Sequence, residues 1–161
     1  MANTQTMTTS FMGELLTATH NFGVSPIRAA TTADVFKAAL YLASATINAS
    51  TTAYSATGEV SGTGYSAGGI DITGSPAWIA PAATNSSATA GVAFSTPSGS
   101  FIYTTVTLST AFDAVLIYNS TQSNKAVSVH TFGSQTITAG TFTLTMPTND
   151  TSTALLRLST T

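Results

Sequence analysis

Apolar and polar positions alternate most clearly in the C-terminal part of the chain. Phe101-Ile102-Tyr103-Thr104-Thr105-Val106-Thr107-Leu108 carries the two-residue period of a half-buried strand. Ala114-Val115-Leu116-Ile117-Tyr118 is a short apolar run of the kind that suits a central strand. Lys125 to Phe132 and Gln135 to Ala139 read as two more strands, with Gly133-Ser134 between them and Gly140 after them. From Thr141 to Met146, Phe142, Leu144 and Met146 fall on one face and Thr141, Thr143 and Thr145 on the other, until Pro147 ends the pattern. The turn Thr148-Asn149-Asp150 then leads to a last strand within Ala154 to Leu158. Strands at this spacing, each followed by turn residues, predict an all-β fold, mainly antiparallel, of the sandwich or barrel-like kind.

Upstream the pattern is weaker. Ser10 is placed to cap a short N-terminal helix over Phe11 to Thr19, with Phe11, Leu15 and Ala18 at helical spacing and Gly13 weakening it. The polar, threonine-rich stretch before it has no periodicity. It reads as an extended N-terminal arm over residues 1–9, mobile or bound to a partner, leaving 10–161 as a single β-rich domain. Val35 to Leu42 is read as a strand in preference to a buried helical turn, and the small, hydroxyl-rich residues Ser44 to Thr57 as a surface loop. Gly58, Gly62, Gly64, Gly68 and Gly69 mark tight turns, and Ile70-Asp71-Ile72 and the proline-flanked Trp78-Ile79 suggest short strands broken by loops.

Composition changes this picture in one respect. Only 6% of the 161 residues are charged, against about 25% in ordinary soluble domains. Serine and threonine, about a third of the chain, supply the polarity instead, and threonine's branched Cβ suits a pleated surface while its hydroxyl faces water. Four basic and six acidic residues cannot neutralise a run of phosphates, so neither nucleic acid nor an anionic membrane surface is an expected partner. With no cysteine there is no disulfide, thiolate chemistry or cysteine-based zinc site. The mean hydropathy is +0.27, yet no apolar run approaches the roughly 20 residues of a membrane-spanning helix, and the N-terminus lacks the pattern of a secretory signal. Synthesis in a cytoplasm is expected.

Several motifs invite a catalytic reading. Gly64-Tyr65-Ser66-Ala67-Gly68 matches the Gly-x-Ser-x-Gly nucleophile elbow, with Asp113 and His130 following in the order used by hydrolases. That elbow needs a helix after its serine, whereas Gly68-Gly69 and the β-branched Ile70 and Ile72 follow here, so a glycine-rich turn is expected and no catalytic residue is assigned. Gly62 to Ala67 also fits a loose dinucleotide-binding pattern but lacks the βαβ context, and the acidic residues are too scattered for a calcium loop. No cofactor or metal is expected. Phe11, Met12, Leu15 and Leu16 on the short helix, together with Trp78, are the candidate interface residues. Each has an alternative use inside the chain's own core.

A set of motifs resembles a known group. Phe36-Lys37-Ala38-Ala39-Leu40-Tyr41, followed by Glu59-Val60-Ser61-Gly62-Thr63-Gly64-Tyr65-Ser66-Ala67-Gly68-Gly69, is similar to a segment of small virion proteins of tailed bacteriophages. So are Ala114-Val115-Leu116-Ile117-Tyr118-Asn119, Ser123-Asn124-Lys125, Phe132-Gly133, Gly140 to Pro147 and Leu155 to Leu158. These occur in order from Val35 to the end. The arm and residues 75–98 do not match, and Ser128-Val129-His130-Thr131 stands where the group carries more acidic residues. The resemblance implies a non-enzymatic structural protein of the virion, with capsid decoration (cement) as its most specific version. The implied partners are the major capsid protein and neighbouring copies in a homo-oligomer, a trimer among the options. The competing expectations are a collar, tail or fibre component, or a module binding host glycans with Trp78 or Tyr65 as the stacking platform.

Overall fold

The computed structural model describes residues 3–16, 19–20, 34–72, 86–87 and 92–159. Their elements, in chain order, are β1 (Thr6–Met7), α1 (Thr9–Leu16), β2 (Phe36–Leu42), β3 (Ile70–Asp71), β4 (Ser86–Ser87), β5 (Val92–Ser95), β6 (Phe101–Asn119), β7 (Lys125–Leu144) and β8 (Leu156–Ser159). They form a five-stranded sheet in the order β1-β7-β6-β2-β3 and a three-stranded sheet in the order β4-β5-β8, with every pairing antiparallel. The fold is all-β with one short helix, as the alternation predicts.

The strands predicted separately at 101–108 and 114–118 are one strand of 19 residues, and those predicted between Lys125 and Met146 are one of 20. Their punctuation does not break the ladder because it is absorbed by bulges. The β6–β7 register shifts repeatedly between Tyr103 and Ala114, and Thr105 and Ala139 take positive φ there. Bulges bend a strand and sharpen its twist. A straight strand of this length would run about 60 Å at ~3.3 Å per residue; this hairpin instead turns back over itself. Tyr103, near the start of β6, donates its hydroxyl to the Ala38 carbonyl at 2.8 Å, although Ala38 is the β2 partner of Ile117 near the end of β6.

The fold-back creates the main core. Phe101, Tyr103, Val106, Leu108 and Phe112 from the first half of β6 cluster with Phe36, Ala38, Leu40, Val115, Ile117 and Val127, and Leu156 of the small sheet joins them. The opposite face of the same sheet carries Ala39, Tyr41, Leu116, Tyr118 and Val129, covered by Ile47, Ala45 and Tyr54 from the loop after β2. This double burial explains why residues 114–118 read as an unbroken apolar run.

The N-terminal segment differs from its expectation. From Asn3 onward it lies on the chain's own sheet: Thr6 pairs with Val129, and Thr4 N–H reaches the Ile47 carbonyl at 3.1 Å. The Asn3 side chain contacts Asp113 and the backbone of Leu42 and Ile47. Helix α1 is capped by Thr8, not Ser10; it is described over Thr9–Leu16, and Thr19 lies outside it. The Thr8 hydroxyl accepts from Phe11 N–H and donates to the Ala126 carbonyl, so it fixes helix and sheet together, whereas Ser10, two residues later, is already inside the helix.

Gly69 takes φ +74° on the edge of β2, and any side chain there would overlap the Ala38 carbonyl oxygen. Gly133, by contrast, has open space around it. Gly69→Ala is therefore expected to cost about 3 kcal/mol or to prevent folding, and Gly133→Ala to stay within about 0.5 kcal/mol. Urea denaturation of the two variants checks the contrast.

Candidate functional site

Residues 59–69 form a loop held by one carboxylate. Glu59 Oε1 accepts from the Tyr65 hydroxyl at 2.8 Å and from Gly68 N–H at 2.7 Å, and Oε2 accepts from the Tyr54 hydroxyl at 2.6 Å. Tyr65 in turn accepts from Leu40 N–H at 3.0 Å and stacks on Tyr103, while Tyr54 stacks on Tyr118, whose hydroxyl donates to the Gly68 carbonyl. The loop bridges to β6 through Thr63 and Thr107. Tyr41 completes the gathering of all five tyrosines in the chain, donating to the Ser55 carbonyl at 2.5 Å. Burial first, and the nearby Glu59 charge after it, raise all five phenols, Tyr41 and Tyr118 to about 12. They stay protonated and serve as donors. The arrangement is architectural: it clamps a loop whose glycines lie backbone to backbone against β2 and β6.

This geometry places each member of the apparent triad. Ser66 sits in the turn closed by Gly69 N–H on its carbonyl, with β3 rather than a helix following. The Asp113 carboxylate receives the Asn3 amide at 2.6 Å, and His130 Nε2 bonds the Ser128 hydroxyl at 2.8 Å. Asp113 and His130 are thus engaged with different partners, and Ser66 lies exposed in its turn. Tyr65, the platform a glycan-binding reading would use, is instead stacked on Tyr103.

A second polar cluster joins α1 to the β6–β7 turn. Glu14 accepts from Lys125 at 2.5 Å and from His20 Nε2 at 2.7 Å, and His20 Nδ1 faces the Asn119 amide at 3.0 Å. Asn119 also donates to Asp34 at 2.8 Å, and its carbonyl oxygen accepts from Thr121 and Gln122 N–H. The amide donation makes Nδ1 an acceptor, so the proton of a neutral ring lies on Nε2, toward Glu14. Burial lowers the His20 pKa against the pull of Glu14. Glu14 is also held low: burial opposes this, but the bonds from Lys125 and His20 outweigh it. No sequence spacing announces this cluster, since its members lie far apart along the chain. It fixes the turn and the helix, and Lys125 offsets the charge of Glu14 within it.

The candidate interface residues divide. Phe11 is 1% exposed and belongs to the core, and Leu15 packs partly buried against it, whereas Met12 is 48% exposed. Leu16 is the last helical residue described, and Trp78 lies outside the described residues. Further exposed side chains lie on the outer face of the β6–β7 hairpin. Thr104, Thr105, Thr136, Thr138, Thr141 and Thr143 are exposed there beside Ile102, which is 51% exposed. This is a neutral hydroxyl surface with one large apolar side chain.

Replacing Glu59 by Gln presents an amide to donors that need an acceptor, so Glu59→Gln is expected to lose about 1–3 kcal/mol in urea denaturation. Both histidines also give the fold a pH dependence. Burial pushes His130 down to about 4 and lowers His20, so below pH 6.5 the unfolded chain binds protons that the folded chain refuses. Stability is complete above that pH and falls as pH drops from 6.5 toward 4. His130→Gln should flatten part of this slope in thermal melts between pH 7 and 4.5. No family model, curated protein or solved structure matches this chain.

Proposed function

We propose that this chain is a non-enzymatic structural protein of a tailed-phage particle, most specifically a decoration protein that binds the outer shell and neighbouring copies of itself. The observation that carries the reading is the ordered motif set from Val35 to the C-terminus. The use the fold makes of those motifs supports it: Glu59, Tyr65 and Gly68 clamp a loop, and Asn119 and Lys125 tie the hairpin turn to the helix. These are scaffold roles, which a structural family would share whatever its partner. The exposed threonine face of the hairpin adds a broad neutral surface of the kind that meets another protein without stranding buried charges.

The mechanism is adhesive. Each contact is modest, and many copies on one lattice raise one another's effective concentration, so the shell gains reinforcement without a deep pocket. Quantitative mass spectrometry of intact particles, with cryo-electron microscopy to place the density, tests the reading. Hundreds of copies on the outer shell are expected. A dozen or fewer would overturn decoration in favour of a collar, tail or fibre position, and absence from particles would overturn the structural role altogether.

A further inference from the structure

The folded-back hairpin does not close on every side. Where β1 and β7 face the segment between β7 and β8, an open cleft runs between the layers. One lobe, about 340 Å³, has Phe101, Val115, Leu144 and Leu155 in its walls; a second, about 450 Å³, is bordered by Thr6, Met7, Val129 and Thr151. Gln5, His130, Leu155 and Arg157 border both, so the lobes are contiguous. Each lies within the roughly 300–1,000 Å³ of ordinary ligand sites.

The charge in this cleft is lopsided. Arg157 is exposed, and its guanidinium donates to the Ser152 carbonyl, but among the described residues no carboxylate pairs with it. Asp150, close in sequence, is bound within its own turn by Ser152 and Thr153. His130, which also borders both lobes, is held neutral by burial, and Gln5 contributes an uncharged amide. A cation beside the partly exposed side chains of Leu144, Met146 and Leu155, in a lining that also carries several threonine hydroxyls, fits a ligand with an aliphatic group and a carboxylate side by side. The open, two-lobed shape beside β1, the outermost strand of its sheet, favours an extended chain over a compact molecule.

We propose that this cleft receives an extended polypeptide segment of the shell subunit, with an aliphatic side chain seated near Leu144 and Leu155 and an adjacent carboxylate against Arg157. The choice of the shell as source rests on the structural role proposed above. Leu144 and Leu155 receive the aliphatic side chain, hydroxyl-bearing residues line the rest of the cleft, and the single charge pair fixes direction and register.

The labelled full-length chain on a synthetic array of pentapeptides tests this. Bound peptides should be enriched in aliphatic residues next to Asp or Glu. Changing that acid to its amide, or introducing Arg157→Gln or Gln5→Glu, should weaken binding about tenfold, the scale of one lost charge pair. No acid enrichment, or unchanged binding by Arg157→Gln, would overturn the proposal. Displacement of bound peptide by an equal concentration of sodium isovalerate would also overturn it, since the cleft would then be a small-acid site. Particles assembled with Arg157→Gln should carry far fewer copies. Full occupancy would remove the cleft as the shell contact and leave the structural role standing, whereas absence of the unsubstituted chain from particles would remove that role itself.

Discussion

A hairpin of two strands, 19 and 20 residues long, buries much of its own apolar face by folding back over itself. The other described strands have between two and seven residues, and the helix has eight. Among the described elements, the first half of the hairpin, bent back at its bulges, supplies Phe101, Tyr103, Val106, Leu108 and Phe112 to the core that buries Leu40, Val115 and Ile117. Everything else in the fold follows from that bend. The loop after β2 covers the opposite face, the small sheet adds Leu156 to the same core, and α1 contributes Phe11.

The bend needs a clamp, and the 59–69 loop provides it. Thr63 bridges to Thr107 within the bulged part of β6, and Gly69 lies against β2. The loop therefore spans the two strands whose relative position the fold-back sets. A flexible loop could not hold such a position, but one carboxylate receiving three donors can, because leaving any of those buried donors unmatched costs more than the bond itself gains. The carboxylate and the glycines thus act as one device: the glycines permit contact and Glu59 makes it permanent.

The fold class was legible because alternation reports burial directly, as Phe142, Leu144 and Met146 show by packing against the core while Thr141, Thr143 and Thr145 stay exposed. Strand length was not legible. Gly133 and Gly140 resemble terminators, and only the partner strand decides whether such a residue ends a ladder or is carried through it. The helix cap was misplaced for a related reason: Thr8 wins over Ser10 through a bond to Ala126, far along the chain. The elbow-like glycine motif was read as a turn from its neighbours, which is where Ser66 sits, but its hub, Glu59, looked like one more scattered acid. Its importance comes from Tyr54, Tyr65 and Gly68 converging on it in space.

The low charge of the chain acquires a structural meaning once its charges are located. Glu14, Lys125 and Asp34 are bound into the cluster around Asn119, Glu59 into the tyrosine hub, Asp113 to the arm and Asp150 to its own turn. Most of the chain's four basic and six acidic residues are therefore occupied in holding the fold. The outer face of the hairpin is left with hydroxyls and one isoleucine, whose contacts depend on shape and dehydration more than on ionic strength. Away from that face, on β8, the Arg157 guanidinium is exposed, and among the described residues no carboxylate pairs with it. Where neutral contacts set the affinity, one charge is enough to decide the direction in which a partner chain lies.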